Sequence, residues 1–388
     1  MSGTWGKKWG RCRIQLDQIF YQVACRTFIK AYRYVMDTIF CHSTALRYHL
    51  APPCVLSHAD GDVSELTNPR RPMLSMVDKP FRIFDKPIHL LCTSRKHSYR
   101  SKNVIFHTWT KPLPSESVQA VSSSLSVTSP LFTLLMLAPS LNTIERIMLL
   151  HEVCGRFSAF RVPHDMRTFL EHDIPIGELE QGGWKPVRTF DGKLTDLWIR
   201  HPLLTVERIR RFAQSQAGTY GAKCLARAAS FVRDGAASPF EVTMGMLAAL
   251  PRRMGGDGLP LVGYNQRISL TASARRIARK TVCYGDLLFE NPDEGKTVIV
   301  ECHGAVVHDI HEQALADSTR LAALQSMGYT VLPVTFDQIL ARSTYHDLID
   351  YMAHELRVHL KPKTAGLLDK EIELRRHLFM DWTKLGAN

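Results

Sequence analysis

A chain of 388 residues is too long for one ordinary hydrophobic core, so two or three domains are expected. Its composition, 45% hydrophobic and 22% charged, excludes an intrinsically disordered protein. A formal charge of +12 favours a polyanionic partner, either nucleic acid or an anionic surface.

Residues 1–40 read as a basic, aromatic helical arm. Up to residue 34, Lys7, Lys8, Arg11, Arg13, Arg26, Lys30 and Arg33 face a single acid, Asp17, and are interleaved with Trp5, Trp9, Phe20, Tyr21, Phe28, Tyr32 and Tyr34. Aromatics among cations can stack on bases while the charges hold phosphates. The alternative is an amphipathic arm that packs its rings on the body of the protein. The same charges interrupt any secretory leader. The nine cysteines form no CxxC pair, so neither a zinc ribbon nor a disulfide frame is indicated. A reduced, cytoplasmic protein follows.

Residues 41–160 read as a mixed α/β domain. "KPIHLLC" and "NVIFHTW" have strand composition. "VTSPLFTLLMLAPS" begins a helix at Pro130 behind Ser129, and its apolar run is about half the length of a bilayer span, so no membrane segment is expected. "NTIERIMLLHEVCGRF" is a second helix that stops near Gly155. Residues 161–236 read as a helical connector: "EQGGWKPVRTFDGKLTD" as a loop, then two helices, the first crowded by Arg208, Arg210 and Arg211.

From 237 onward the pattern is ordered. "SPFEVTMGMLAAL" is a helix opened by Ser238 and Pro239, "GGDGLPLVGYN" a turn-rich loop, and "QRISLTA", "KTVCYGDLLFE" and "TVIVECHG" strands. "HEQALADSTRLAALQSM" is a helix and "YTVLPVT" a further strand. The resulting α-β-β-β-α-β order predicts a mixed sheet covered by helices. A domain over 237–360 is followed by a C-terminal helix over 361–388, with Leu374, Leu378 and Trp382 on one stripe.

The chemistry concentrates at the end of "TVIVECHG". Side chains two apart on a strand share a face, so Glu301 and His303 point one way and Cys302 the other, toward the core. A hairpin around "NPDEGK" places Asp286 opposite Glu301. Cross-strand neighbours have Cβ atoms ~5 Å apart, and two carboxylates that close repel unless a cation or a proton intervenes. Mg²⁺ or Mn²⁺ held by Asp286 and Glu301 answers this, with water and phosphate oxygens filling the other positions. His303 or His308 would then move the proton. The structural alternative is a salt bridge from these acids to Arg279 or Lys280. A transition-metal set of Glu301, His303, His308 and His311 matches no zinc spacing. Arg275, Arg276, Arg279 and Lys280 lead into the Asp286 strand and are placed to hold a phosphate backbone.

The run "SPFE … GLPLVGYN … KTVCYGDLLF … VIVECHGAVVH … DSTRLAALQSMGYTVLPVT", over about 237–345, resembles the Vsr-like (very-short-patch-repair-like) endonuclease domain of the PD-(D/E)XK superfamily. The resemblance implies an α/β (α+β) fold with a PD-(D/E)XK-type nuclease domain behind a mixed α/β domain. It implies Asp286 and Glu301 as metal acids, and His303 where the superfamily's lysine stands. Glu241 matches the helical acid, His308 the histidine after the motif glycine, and Asp317 with Arg320 the D-x-x-R of the following helix, Arg320 facing nucleic acid. "CHSTALRYHL", "VTSPLFTLLMLA" and "LLHEVCGRF" resemble the AbiEi-type antitoxin regulators, although Phe132 and Met136 stand where those carry Arg and Asp. Two functions are therefore expected: a metal-dependent endonuclease acting on DNA or RNA in phage defence or a toxin–antitoxin setting, or an inactive nucleic-acid-binding regulator on the same scaffold. A protein partner or cognate toxin fits either.

Overall fold

The computed structural model describes residues 38–58, 83–84, 87–93, 103–122, 125–304 and 312–386, with the backbone alone for 312–317. The arm expected over 1–40 lies outside the described residues except for its last three. The fold is mixed α/β, in two compact units: 38–45 with 83–132, and 46–58 with 133–386. The sequence boundaries drawn at 160, 236 and 360 fall inside the second unit.

In the first unit β1 (Ile39–Phe40) leads into α1 (His42–Leu50), whose first turn belongs here. β2 (Ile88–Cys92), β3 (Val104–Thr108), β4 (Val118–Ala120) and β5 (Ser126–Thr128) complete a sheet ordered β3-β2-β1-β5-β4. The two strands read from "KPIHLLC" and "NVIFHTW" pair in parallel, with Leu91 opposite His107. β1 runs antiparallel to β2 and parallel to β5. Phe40, Leu90, Leu91, Val104 and Val127 are buried, as these β-prone apolar residues require.

The second unit adds α2 (Pro53–His58), α3 (Pro130–Leu137), whose first three residues belong to the first unit, and α4 (Thr143–Cys154). A capping box opens α4, the Asn142 side chain accepting from Glu145 N–H while Glu145 accepts from Asn142 N–H. Gly155 ends it as expected. A Cβ there would lie 2.6 Å from the His151 carbonyl and 2.7 Å from that of Ala236, so only glycine fits.

Residues 161–236 depart from the helical connector read in the sequence. β6 (Phe157–Ala159) is followed by α5 (His164–His172) and α6 (Ile176–Leu179), then by β7 (Lys185–Arg188) and β8 (Leu194–Ile199). The supposed loop "EQGGWKPVRTFDGKLTD" thus contains a hairpin, in a sheet ordered β6-β8-β7. Pro186 hid β7 from the pattern, and it is tolerated because β7 is an edge strand. α7 (Val206–Ser215) and α8 (Ala222–Ala229) follow as expected.

α9 (Pro239–Ala249) has Ser238 as N-cap, its hydroxyl accepting from Glu241 N–H, and Pro239 in the first turn. β9 (Leu261–Ser269) starts inside the stretch read as a loop, and α10 (Ala272–Ala278) was not foreseen. Then come β10 (Val282–Asn291), β11 (Lys296–His303), α11 (Glu312–Gln325), β12 (Thr330–Thr335), α12 (Phe336–Leu340), α13 (Arg342–Glu355) and α14 (Ala365–Leu378). The sheet is ordered β12-β11-β10-β9, antiparallel except for the parallel β11–β12 pair. The α-β-β-β-α-β order is present, with α10 inserted.

The two faces of this sheet are covered by different helices. On one, α9 lies so close to β9 that a Cβ on Gly245 would meet the Tyr264 hydroxyl at 2.1 Å. On the other, Ile268, Cys283 and Ile299 pack with Ala274 of α10 and Ala323 and Leu324 of α11. The C-terminal helix is anchored by charge as well as by Leu374 and Leu378. Glu371, with no exposed side-chain surface, accepts from Lys363 at 2.7 Å, His346 at 3.0 Å and Arg375 at 3.3 Å. Lys363 also pairs with Asp257 at 2.7 Å, and Asp257 accepts from the Tyr345 hydroxyl at 2.6 Å. Burial alone would raise the Glu371 carboxyl, but Lys363 and His346 bring it down to about 2. Trp382, expected on the helix stripe, sits in a short 3-10 turn beyond it. Among the described residues no helix is long and apolar enough to cross a membrane.

Candidate functional site

The β10–β11 register pairs Leu287 with Val300, and one further step sets Asp286 opposite Glu301. The hairpin expectation is met at the level of the backbone. The side chains then diverge. Glu301 has the parity of Ile299 and faces α11, where it is buried and accepts from both terminal nitrogens of Arg320, each at 2.9 Å. Arg320 Nη1 also donates to the Tyr284 carbonyl at 2.9 Å. This is a two-pronged, charge-assisted pair, the strongest form a carboxylate and a cation make. The structural alternative to a metal ion paired these acids with Arg279 or Lys280, and the cation that meets Glu301 is Arg320. Arg320 itself, expected to face nucleic acid, is turned onto a strand acid.

Asp286 sits at the pivot between the faces. Its Oδ2 accepts from the Cys302 backbone N–H at 2.8 Å. Opposite it on the third strand, Asn265 adopts a left-handed backbone with φ of 48°, which interrupts the β9–β10 pairing at this level. Cys302 has the parity of Val300, the face that α9 covers. Burial, then the charges of Glu241, Asp286 and Glu301, push its thiol well up, so it is no nucleophile.

Glu241, in the first turn of α9, is buried on that same face. Its Oε2 accepts from Ala237 N–H at 2.9 Å and from the Asn265 amide at 2.7 Å, and Oε1 accepts from the Ser238 hydroxyl at 3.1 Å. Burial and then the Asp286 charge raise its carboxyl to about 8. The sheet separates the acids into two environments: Glu301 paired with Arg320 on one face, and Glu241 buried among hydrogen-bond donors on the other.

His303 is exposed at the end of β11, while His308 and His311 lie outside the described residues, as does the Asp317 side chain. Arg275 and Arg276 on α10, with Arg279 and Lys280 beyond it, are all exposed. Arg275 donates through Nε to the Leu270 carbonyl at 2.8 Å, which fixes its stem. Arg279 closes α10 in a left-handed conformation, φ 52°. These four cations are brought together on one surface segment. On α7, Arg211 pairs with Glu207 at 2.7 Å and Arg210 donates to the Ala229 carbonyl at 3.0 Å, so that helix presents less free charge than its sequence implied.

Sequence reasoning missed a second cluster, in the first unit. His42, His89 and His107 place ring nitrogens within 4.8 Å of one another, the only such group of three or more His, Cys, Asp or Glu ligand atoms among the described residues. His89 Nδ1 and His107 Nε2 are 2.7 Å apart, and the three rings stack at 4.6–5.0 Å between centroids. Burial, then His107 and His89, lower the His42 imidazole to about 3. No spacing signal could have found the group, because its members come from separate segments. Comparison with protein-family models, with curated proteins and with solved structures found no match for this chain.

Proposed function

We propose that this chain is a nucleic-acid-binding protein that uses its C-terminal α-β-β-β-α-β core as a scaffold, with no working metal centre between Asp286 and Glu301. The observation that carries the reading is the Arg320–Glu301 pair. Both oxygens of Glu301 are engaged, and a metal ion would have to remove a buried carboxylate from its guanidinium. Breaking a buried pair of this kind costs about 3–5 kcal/mol. Nucleic acid is the partner that suits the exposed Arg275, Arg276, Arg279 and Lys280 and the +12 chain charge.

A second reading, a Mg²⁺- or Mn²⁺-dependent nuclease, draws on a different observation: the Asn265 amide holds Glu241 at 2.7 Å, and the flanking strand register sets Asn265 opposite Asp286. A divalent cation would relieve repulsion between two carboxylates gathered about one residue. Asp286 with Glu241, not Asp286 with Glu301, would then hold the ion. The ion would supply a nucleophilic hydroxide and offset charge on the phosphodiester. His303, exposed at the end of β11, would be the group to move a proton.

One experiment separates the readings. Binding to duplex DNA and to single-stranded RNA is followed by fluorescence anisotropy over a salt series, beside a cleavage assay in Mg²⁺ and Mn²⁺. The expected result is salt-dependent binding without cleavage. Replacing Arg275, Arg276, Arg279 and Lys280 by Ala should lower the log–log salt slope by about 1 for each phosphate that these cations no longer hold. Cleavage that disappears in Asp286→Asn would establish the nuclease instead. Binding that ignores salt would remove nucleic acid as the partner.

A further inference from the structure

The three histidines of the first unit are held by backbone, and this gives them meaning beyond a chance cluster. The His89 N–H donates to the Thr44 hydroxyl at 2.9 Å, and its carbonyl accepts from Cys41 N–H at 3.0 Å. The residue is clamped between the end of β1 and the first turn of α1. The parallel β2–β3 register pairs His89 with Ile105 and Leu91 with His107, so His89 and His107 project from one face, two residues out of step. His42 reaches the pair by entering α1 in a left-handed conformation, φ 53°, one of the few non-glycine residues in that region among those described. A non-glycine residue there is strained, and such strain is retained where the surroundings demand it and concentrates at functional sites. His42 and His89 are buried and His107 is half-buried, so the group has one side open to solvent.

We propose that His42, His89 and His107 form a binding site for one divalent transition-metal ion of the zinc class. The ligand chemistry selects the metal. Three imidazoles suit Zn²⁺, Co²⁺, Ni²⁺ or Cu²⁺, whereas Mg²⁺ and Ca²⁺ need oxygen donors that this set lacks. A three-histidine set leaves the fourth tetrahedral position to water or to a bound anion. The geometry needs a small adjustment. Nitrogens bound to a tetrahedral zinc lie ~3.3 Å apart, from bonds of about 2.0–2.1 Å, so His89 and His107 must separate from 2.7 Å as the ion enters. A half-buried His107 on β3, the edge strand of the sheet, can make that movement. The ion would tie β2, β3 and the start of α1 together. This site is independent of the reading given for residues 237–345, and stands or falls without it.

The test uses the full-length protein, stripped with a chelator and titrated with Co²⁺. The expected result is saturable uptake of one Co²⁺ per chain with the visible absorption of a four- or five-coordinate ion, displaced by Zn²⁺ and not by excess Mg²⁺. His107→Ala, the substitution at the least buried ligand, should abolish the absorption while circular dichroism stays unchanged. For a readout that needs no variant, Zn²⁺ should protect His107 of the unaltered protein from diethylpyrocarbonate. Absence of saturable uptake, Co²⁺ spectra unchanged in a folded His107→Ala protein, or labelling of His107 that Zn²⁺ leaves unaltered would each overturn the assignment.

Discussion

Cutting the Arg320–Glu301 pair from either side should have unequal effects, and the inequality follows from exposure. Glu301 keeps 7% of its side-chain surface in water, Arg320 29%. Arg320→Leu leaves a carboxylate buried beneath α11 with nothing to neutralise it, at a cost of about 3–5 kcal/mol. Glu301→Leu leaves a guanidinium that can swing toward solvent and retain its bond to the Tyr284 carbonyl, so the loss should be about 1.5–3 kcal/mol, the worth of a hydrogen bond to a charged group. The double variant removes both charges and fills the space with apolar atoms. It should be close to wild type, since a buried pair replaced by hydrocarbon is often neutral. The coupling energy is then at least ~4 kcal/mol and opposite in sign to the single losses. Hydrogen exchange of β10 and β11 amides reads this locally, without assuming that the two units unfold together. Arg320→Leu should accelerate exchange roughly a hundredfold or more, at tenfold per 1.4 kcal/mol. Acceleration under threefold, or a double variant no better than Arg320→Leu alone, would show that the pair is a solvated contact and that Glu301 remains available to a metal.

Two further outcomes follow from the same unit. The Glu371 carboxyl is lowered to about 2, so its contribution is fully present above the ordinary carboxylate value and is lost as pH falls toward 2; Glu371→Gln should cost on the order of 3 kcal/mol at pH 7, with a gap in urea midpoint that narrows in acid, and a gap that stays constant would refute the linkage. Gly245→Ala should destabilise by about 1–3 kcal/mol because its Cβ meets the buried Tyr264 hydroxyl, and a scan of Tm should find part of the loss restored when Tyr264→Phe removes that oxygen.

How far the sequence reaches depends on the distance over which its signals act. The β-branched run Val298–Val300, the Ser238 start with Pro239, and the helix stop near Gly155 are local, and each appears where the pattern put it. β7 escaped because it is four residues long and carries Pro186, and the first half of β9 because Gly263 and the left-handed Asn265 interrupt its alternation. α10 is only seven residues, too short for its periodicity to rise above the basic run it carries.

Site chemistry was legible to the point where side-chain direction takes over. A hairpin turn fixes register, so Asp286 opposite Glu301 could be read from the chain. Parity also says that Glu301 and Cys302 face opposite ways, but it does not say which helix covers which face. That assignment decides the chemistry. Because α11 lies under Glu301, Arg320 reaches it, and because α9 covers the other face, Glu241 is held there by Asn265. The D-x-x-R spacing on α11 shows a helical neighbour for Arg320 and conceals its strand partner. The histidine triad pushes the same limit further: each member is ordinary in its own segment, and only the parallel β2–β3 register with the turn into α1 brings three imidazoles to one place. The two sites differ in what their ligands are doing. The acids of the second unit are already engaged by Arg320 and by backbone N–H groups, whereas the triad gathers three imidazoles, the ligand type that zinc-class ions take. A metal ion therefore has more to offer the first unit than the second.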